Sequence, residues 1–338
     1  MKWGMNLETN ITKRLMINKL ILLIIIIAFV NMFSFLFGTE NTLTGVTVIT
    51  GALMFKDIDL GYNVKQSVFI TIGLFTFIGI VTYLTSQVGI LLAILINLIS
   101  VFIVIYITSE NLQTKVFLPF ILLYVFLDGT PIDEKKAIMR VVACFIGGAI
   151  MALTLYISHN KKQISKKSIK EDLCKENIDF SSERFRFAVK MAIGISIAIL
   201  IGRVLNTQKA MWITIAVMSL TQPQHEDSKQ RMKERLISTI LGAIAFIILF
   251  KVLVPEKYFT FVTLSLGYIY TFIYEYKIKM FFVAINALVA SMFIFNTPTS
   301  IVLRIGFLVI GICVVYIISK GEEVISKIKD KEQSAIFE

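Results

Sequence analysis

The sequence predicts an all-α polytopic membrane protein, with about twelve transmembrane helices in two parallel six-helix repeats. Hydrophobic residues make up 56% of the 338 residues, and the mean hydropathy is +0.78. A soluble domain of this length could not bury so much apolar surface. The apolar runs, such as the one over 20–37, are of helix length and free of charge, as the hydrocarbon core of a bilayer requires. The order of apolar and polar segments also recurs halfway along the chain.

The internal repeat is visible at matching positions of the two halves. Lys19 opens one apolar run and Lys190 opens another, while Arg140 and Arg304 each stand seven residues before a glycine. Few residues are identical, so the repeat rests on the shared order of segments. A unit of six crossings has an even number of spans, and its two copies should therefore insert in the same orientation. Parallel repeats about an axis along the membrane normal are a transporter design, with the substrate path between the halves.

Twelve spans are predicted from the apolar runs. Those of the first repeat are 18–37, 42–55, 65–84, 89–108, 115–127 and 138–157. Those of the second repeat are 186–204, 209–221, 232–254, 258–274, 279–295 and 300–319. The spans 42–55, 115–127 and 209–221 fall short of the about 20 residues that a full crossing needs. Short segments at equivalent places in two repeats point to a binding site, and the alternative is that these helices continue into polar residues at the interface.

The distribution of lysine and arginine predicts the orientation. The predicted organisation is a first repeat at 1–157, a basic linker at 158–185, a second repeat at 186–319 and a tail at 320–338. With both termini inside, 26 of the 34 basic residues lie in inner segments and the other 8 in outer ones. This bias predicts a multi-pass protein of the plasma membrane with both termini, the linker and the tail in the cytoplasm. Topology and contact with anionic lipid explain the net charge of +11, so no nucleic-acid partner is expected.

The sequence carries no motif for catalysis. It has no phosphate-binding loop and no nucleophile elbow. His159 and His225 fall in predicted cytoplasmic loops, and Cys144, Cys174 and Cys313 lack the spacing of a metal site. We therefore expect no catalytic residue, no metal and no cofactor.

Six side chains within or beside the spans are candidates for a substrate path. They are Arg140, Arg304, Trp212, Thr214, Arg235 and Asn286. Arg140 and Arg304 occupy equivalent positions at the predicted outer ends of spans six and twelve. Arginine is always charged and binds carboxylates through two parallel hydrogen bonds, so such a pair would attract anions to a central path. The alternative is that both side chains extend to lipid head groups as interfacial anchors.

The other four candidates have alternatives of the same kind. Arg235 is already explained by the excess of positive charge on the cytoplasmic side. Trp212 is either a residue of the interfacial aromatic belt or a stacking partner for a substrate. Asn286 and Thr214 either line a path or form hydrogen bonds between helices.

The most specific local sequence runs from 211 to 242. It contains M-W-I-T-I at 211–215, T-Q-P at 221–223, a basic helix start with Arg231 and Arg235, and S-T-I-L-G at 238–242. Here the chain resembles the fusaric acid resistance (FUSC) and aromatic acid exporter superfamily of integral membrane proteins. In that superfamily a Trp-led short helix, a Pro-containing loop and a helix start with Arg and Gly-Thr-x-x-Gly recur. Ser stands at 238 in place of the first glycine, and the resemblance covers 185–255 with a weaker part over 20–157.

The resemblance implies a function class. It implies a permease that exports small organic anions, often aromatic carboxylates, or related toxic compounds. The alternatives are a passive anion channel on the same scaffold and a non-transporting membrane protein of envelope assembly. The expected partners are the organic anion and the lipid bilayer, and a homo-oligomer is compatible with this layout.

Overall fold

The computed structural model describes residues 12–160, 168–173, 179–207, 209–292 and 294–336, which form helices joined by turns and short loops. The other residues include Cys174 and parts of the predicted linker and tail, and these predictions lie outside the described residues. The helices of the first half are α1 Lys13–Phe37, α2 Thr42–Phe55, α3 Val64–Gln87, α4 Ile90–Thr108, α5 Leu118–Asp128 and α6 Glu134–His159. They are followed by α7 Ile169–Leu173, α8 Glu183–Leu205, α9 Met211–Leu220, α10 His225–Ile247, α11 Phe259–Tyr270, α12 Tyr276–Ser291 and α13 Thr297–Ile336.

Each predicted span overlaps one of these helices. Among the described residues, seven helices are long and apolar enough to cross a membrane, and α5 and α9 are shorter apolar helices. The chain is therefore an all-helical, multi-pass membrane protein, as predicted. The count of twelve crossings and the repeat stay predictions. The short length of α9 has a local cause, because it ends shortly before Pro223, and proline disfavours helical backbone in the residue before it.

The chain forms two compact units. Unit 1 comprises 1–27 and 226–312, and unit 2 comprises 28–225 and 313–338. The predicted linker at 158–185 falls inside the sequence range of unit 2, so the units do not follow the boundaries of the predicted repeats.

Close contact between α3 and α6 forms much of unit 2. An ideal Cβ atom built on Gly148 of α6 would lie 2.9 Å from the Cβ of Phe75 and 3.1 Å from the Cα of Ile72 on α3. One turn earlier on α6, the Sγ of Cys144 lies 2.9 Å from an ideal Cβ built on Gly79. The two helices therefore approach to backbone contact, as small residues allow in membrane proteins.

Arg140 of α6 is a buried cation whose donors are directed at the chain itself. Its Nη1 donates to the carbonyl oxygens of Thr130, at 2.6 Å, and Leu127, at 3.4 Å. Its Nη2 donates to the carbonyl oxygen of Glu40 at 3.1 Å, and its Nε donates to the Oδ1 of Asn41 at 3.4 Å. One guanidinium group thus connects α6 to the segment before α2 and to the end of α5.

Arg184 connects the start of α8 to the short helix α7. Its Nη1 lies 2.7 Å from an Oδ2 oxygen of Asp172, and its Nη2 donates to the hydroxyl of Tyr62 at 2.8 Å. Its Nε donates to the carbonyl oxygen of Tyr106 at 2.8 Å. Burial raises the pKa of the Tyr62 phenol well above its ordinary value, so this hydroxyl keeps its proton and donates to Asp172 at 2.9 Å.

Two further cations connect α8 to its neighbours. At the end of the helix, Arg203 lies 2.9 Å from Asp128 and donates to the carbonyl oxygen of Thr85, also at 2.9 Å. Within the helix, the buried Lys190 forms an ion pair with Glu322 of α13 and donates to the carbonyl oxygens of residues 222 and 223. Arg184, Lys190 and Arg203 of α8 therefore all have acceptors within unit 2.

The contact at Gly148 yields a prediction about stability. We expect Gly148→Ala to destabilise the protein by about 1–3 kcal/mol, because its Cβ would meet backbone atoms of α3 that cannot move aside cheaply. The measurement is the thermal unfolding midpoint of the purified protein in mild detergent. Gly73→Ala on α3 is the matched control, since nothing lies within 4 Å of its ideal Cβ. An equal shift in the two variants would contradict the prediction.

The surroundings of Arg140 yield a second prediction. Arg140→Met should lower the unfolding midpoint, since each buried carbonyl oxygen left without a donor costs about 1–3 kcal/mol. Arg186→Met serves as the control because Arg186 is an exposed arginine of unit 2. Unfolding midpoints that agree between Arg140→Met and the control would show that these hydrogen bonds contribute no stability.

Candidate functional site

Two arginines are buried together in unit 1. Arg235 on α10 is 3% exposed and Arg304 on α13 is 6% exposed. The two guanidinium groups are close enough for their positive charges to act on each other. Moving one charge out of water is expensive, and a second like charge nearby adds to this cost. The pair is therefore an electrostatic feature that packing alone does not explain.

No buried carboxylate accompanies this pair among the described residues of unit 1. The acidic side chains there are Glu226, Asp227, Glu234, Glu256 and Glu275, and none is buried. Within the same residues, Arg235 forms no hydrogen bond or ion pair through its side chain. A buried cation in such surroundings favours an anion as its partner, and a carboxylate matches the planar fork of arginine.

A tyrosine and a third arginine lie beside Arg235. The guanidinium carbon of Arg231, one turn earlier on α10, lies 4.6 Å from the ring centroid of Tyr276 at the start of α12. The phenol of Tyr276 is within electrostatic range of Arg235. Its hydroxyl oxygen is buried and has no hydrogen-bond partner among the described residues. An aromatic face, a hydroxyl donor and two guanidinium groups are thus in one place.

Two more polar atoms in unit 1 are buried without a hydrogen-bond partner in the described part of the chain. They are the Oδ1 of Asn286 on α12 and the Oγ of Ser300 on α13. Ser300 precedes Arg304 by four residues, so the two lie on the same face of α13. Buried polar atoms are normally paired, and these side chains are therefore additional candidates for contact with a polar ligand.

Tight packing of α10 against α12 holds the arginine-bearing turn in place. An ideal Cβ on Gly242 would lie 2.8 Å from the Cβ of Ala284 and 2.9 Å from the carbonyl oxygen of Phe281. One turn earlier, the hydroxyl of Ser238 donates to the carbonyl oxygen of Lys277 at 2.7 Å. Because a larger residue at 242 would separate the helices, this glycine fixes how near Arg235 comes to α12.

The remaining predicted residues lie in unit 2. Trp212 is only 6% exposed and Thr214 is also buried on α9, so both side chains pack inside the unit. Arg140 and Arg304 differ in their surroundings, since the donors of Arg140 are directed at acceptors of the chain itself. The predicted residues that the structure brings together are Arg235 and Arg304, with Asn286 in the same unit.

Sequence reasoning missed Tyr276 and Ser300. The segment 274–279 reads Y-E-Y-K-I-K at the start of a span. Tyrosines beside lysines are typical of a membrane interface. The sequence pattern therefore does not distinguish a tyrosine at the interface from one that contacts Arg231. Ser300 carries no signal beyond its spacing of four residues from Arg304.

The described residues contain no group of three or more His, Cys, Asp or Glu side chains that could hold a metal ion. Cys144 is buried and Cys313 is exposed, and both are free thiols. The buried His159 lies with its Nε2 2.9 Å from the carbonyl oxygen of Phe55. The polar chemistry of the site in unit 1 is therefore that of arginine, tyrosine, serine and asparagine.

Residues 197–318 match the family described as fusaric acid resistance protein-like. A protein of Neisseria gonorrhoeae, "Uncharacterized protein ORF2", is 27% identical over 113 residues, which cover 33% of this chain and 27% of that protein. The chain thus spans about a quarter of the length of this relative, and no solved structure matches the chain. The matched segment begins within α8 and ends within α13, so it includes both buried arginines of unit 1. The match over this segment confirms the resemblance found in the sequence.

Proposed function

We propose that this protein is a permease of the plasma membrane that exports small organic carboxylate anions, aromatic ones in particular. The observation that carries the proposal is the pair of buried arginines in unit 1, Arg235 and Arg304, with no buried carboxylate among the described residues of that unit. The pair lies in the segment that matches the family. In this proposal the protein binds and moves its substrate without chemical change.

The electrostatics of the pair support an anionic substrate. Two like charges repel most strongly when they are removed from water, and a carboxylate near both would be attracted to each. The same anion gains charge-assisted hydrogen bonds that replace its hydration. The bound anion relieves the repulsion between the two arginines but is not part of the chain. Such a site suits a carrier, because the substrate must enter the site and also leave it.

Tyr276 supports the preference for aromatic substrates. Its ring already lies against the guanidinium of Arg231, and its buried hydroxyl has a hydrogen to donate. Aromatic rings associate through offset or edge contacts that add about 0.5–1.5 kcal/mol to the gain from burial. A benzoate-like anion would place its carboxylate at Arg235 and its ring near Tyr276.

The arginine pair yields a test in proteoliposomes. We expect Arg235→Ala and Arg304→Ala to lower benzoate flux at least about tenfold, since a hydrogen bond to a charged group contributes about 1.5–3 kcal/mol. Arg235→Lys should retain part of the flux, because lysine keeps the charge but cannot make the planar two-point contact. The measurement is the initial rate of radiolabelled benzoate transport per reconstituted protein.

Lys233→Gln is the matched control for this test. Lys233 is exposed on the same turn of α10, so the variant removes one positive charge without touching the buried pair. Normal flux in both alanine variants would overturn the assignment of the site. Steady single-channel currents would favour a channel, and a wild-type protein without flux would favour a role in envelope assembly.

The proposed orientation has its own test. With both termini in the cytoplasm, a cysteine at Asp133 should react with a membrane-impermeant maleimide added to intact cells, and a cysteine at Ser181 should not. The expectation rests on the 26-to-8 distribution of basic residues. The labelling uses a variant in which the three native cysteines are replaced, and permeabilised cells provide the control. Labelling of the Ser181 position from outside would refute the orientation.

A further inference from the structure

Tyr274 of unit 1 has cations near its ring from two different helices. The Nζ of Lys19 on α1 lies 5.7 Å from the ring centroid, and the Nζ of Lys279 on α12 lies 5.8 Å from it. The tyrosine is 54% exposed. Both distances are within the about 6 Å range of a cation–π contact. One accessible aromatic ring thus has two ammonium groups beside it.

Hydrogen bonds from α1 to α11 and the following turn build this arrangement. The Nζ of Lys19 donates to the carbonyl oxygen of Thr271 at 3.2 Å, and the hydroxyl of Tyr268 donates to the carbonyl oxygen of Met16 at 3.0 Å. Successive backbone hydrogen bonds close the turn that follows α11. The position of Lys19 beside Tyr274 is therefore determined by several contacts.

The cluster lacks an anion of its own among the described residues. Glu275 is the next residue, but its carboxylate forms no ion pair with Lys19 or Lys279. A carboxylate near either ammonium group would be attracted to it. If it carries an aromatic ring, that ring would also contact Tyr274.

We propose that Lys19, Tyr274 and Lys279 form a capture site for aromatic carboxylates at the surface of unit 1, from which the anion passes to Arg235 and Arg304. The proposal rests on the permease function proposed above and names the step before the buried arginines. It assigns recognition of the aromatic ring to Tyr274. It assigns recognition of the carboxylate to the two lysines.

The same pairing of ring and cation recurs at a greater depth. Tyr274 lies two residues before Tyr276, the first residue of α12, and the ring of Tyr276 lies 4.6 Å from the guanidinium of Arg231. Arg235, one turn further along α10, is buried. An aromatic anion would therefore meet a tyrosine ring beside a cation first at the surface and then inside. An aliphatic acid would be attracted by the charges alone.

Unit 1 also contains a matched control pair. The Nζ of Lys257 lies 4.9 Å from the ring centroid of Tyr258, and this tyrosine is also about half exposed. Tyr258 precedes α11 and Tyr274 follows it, so the two rings are separated by a helix of about 18 Å. Among the described contacts, Tyr258 has a cation from one side only.

The test is equilibrium binding of benzoate and of cyclohexanecarboxylate to the full-length protein in nanodiscs of phosphatidylcholine. It is measured on the wild type and on Arg235→Ala, in which the deeper site is disabled. We expect Tyr274→Leu to weaken benzoate binding about three- to tenfold in both backgrounds and to leave cyclohexanecarboxylate binding unchanged. Tyr274→Phe should bind benzoate normally, Lys19→Gln with Lys279→Gln should weaken binding of both acids, and Tyr258→Leu should change neither.

Unchanged benzoate binding in Tyr274→Leu, or equal losses for the two acids, would overturn the capture site. The capture site would also be overturned if the variants changed only how much benzoate binding differs between nanodiscs of phosphatidylglycerol and nanodiscs of phosphatidylcholine. The lysines would then bind lipid head groups. The two proposals fail separately. Binding that depends on Tyr274 in a protein without flux would refute the permease and keep the binding site, while normal flux with binding independent of Tyr274 would refute the capture site alone.

Discussion

The interior of this protein is governed by the cost of placing a positive charge in apolar surroundings. In unit 2 the cost is offset within the chain, since Arg140 donates to backbone carbonyl oxygens and Lys190 pairs with Glu322. In unit 1, Arg235 and Arg304 are both buried and act on each other as like charges. Cations of the first kind hold helices together, and cations of the second kind are those to which we assign the proposed binding of an anion.

Small residues bring helices into close contact in both units. Gly148 brings α3 and α6 into backbone contact, and Gly242 does the same for α10 and α12. In a membrane such contacts stabilise helix pairs through packing, because lipid offers apolar side chains nearly the same surroundings as protein does. The glycine of α10 has a second effect in unit 1, since it sets the distance between the arginine-bearing turn and Tyr276.

The sequence was sufficient to locate the helices, because charge-free runs of apolar residues have few other stable structures in a bilayer. The site could be predicted only in part. Arg235 and Arg304 were both candidates, but repeat position paired Arg304 with Arg140, and only the fold brings Arg304 to Arg235. The role of Arg140 could not be predicted, because its acceptors are mostly backbone carbonyl oxygens, which every residue has. The contact of Tyr276 with Arg231 was equally hidden, since basic and aromatic residues are common at any membrane interface.

The hydrogen bonds of Arg140 also bear on how the protein is made. All its acceptors, at residues 40, 41, 127 and 130, precede Arg140 in the chain. Chains are synthesised and fold from the N-terminus, so the ribosome has already produced every group that Arg140 needs when α6 emerges. The guanidinium group of Arg140 can then form its hydrogen bonds as soon as α6 leaves the insertion machinery. The order of synthesis therefore spares α6 a period in which its charge would face lipid alone.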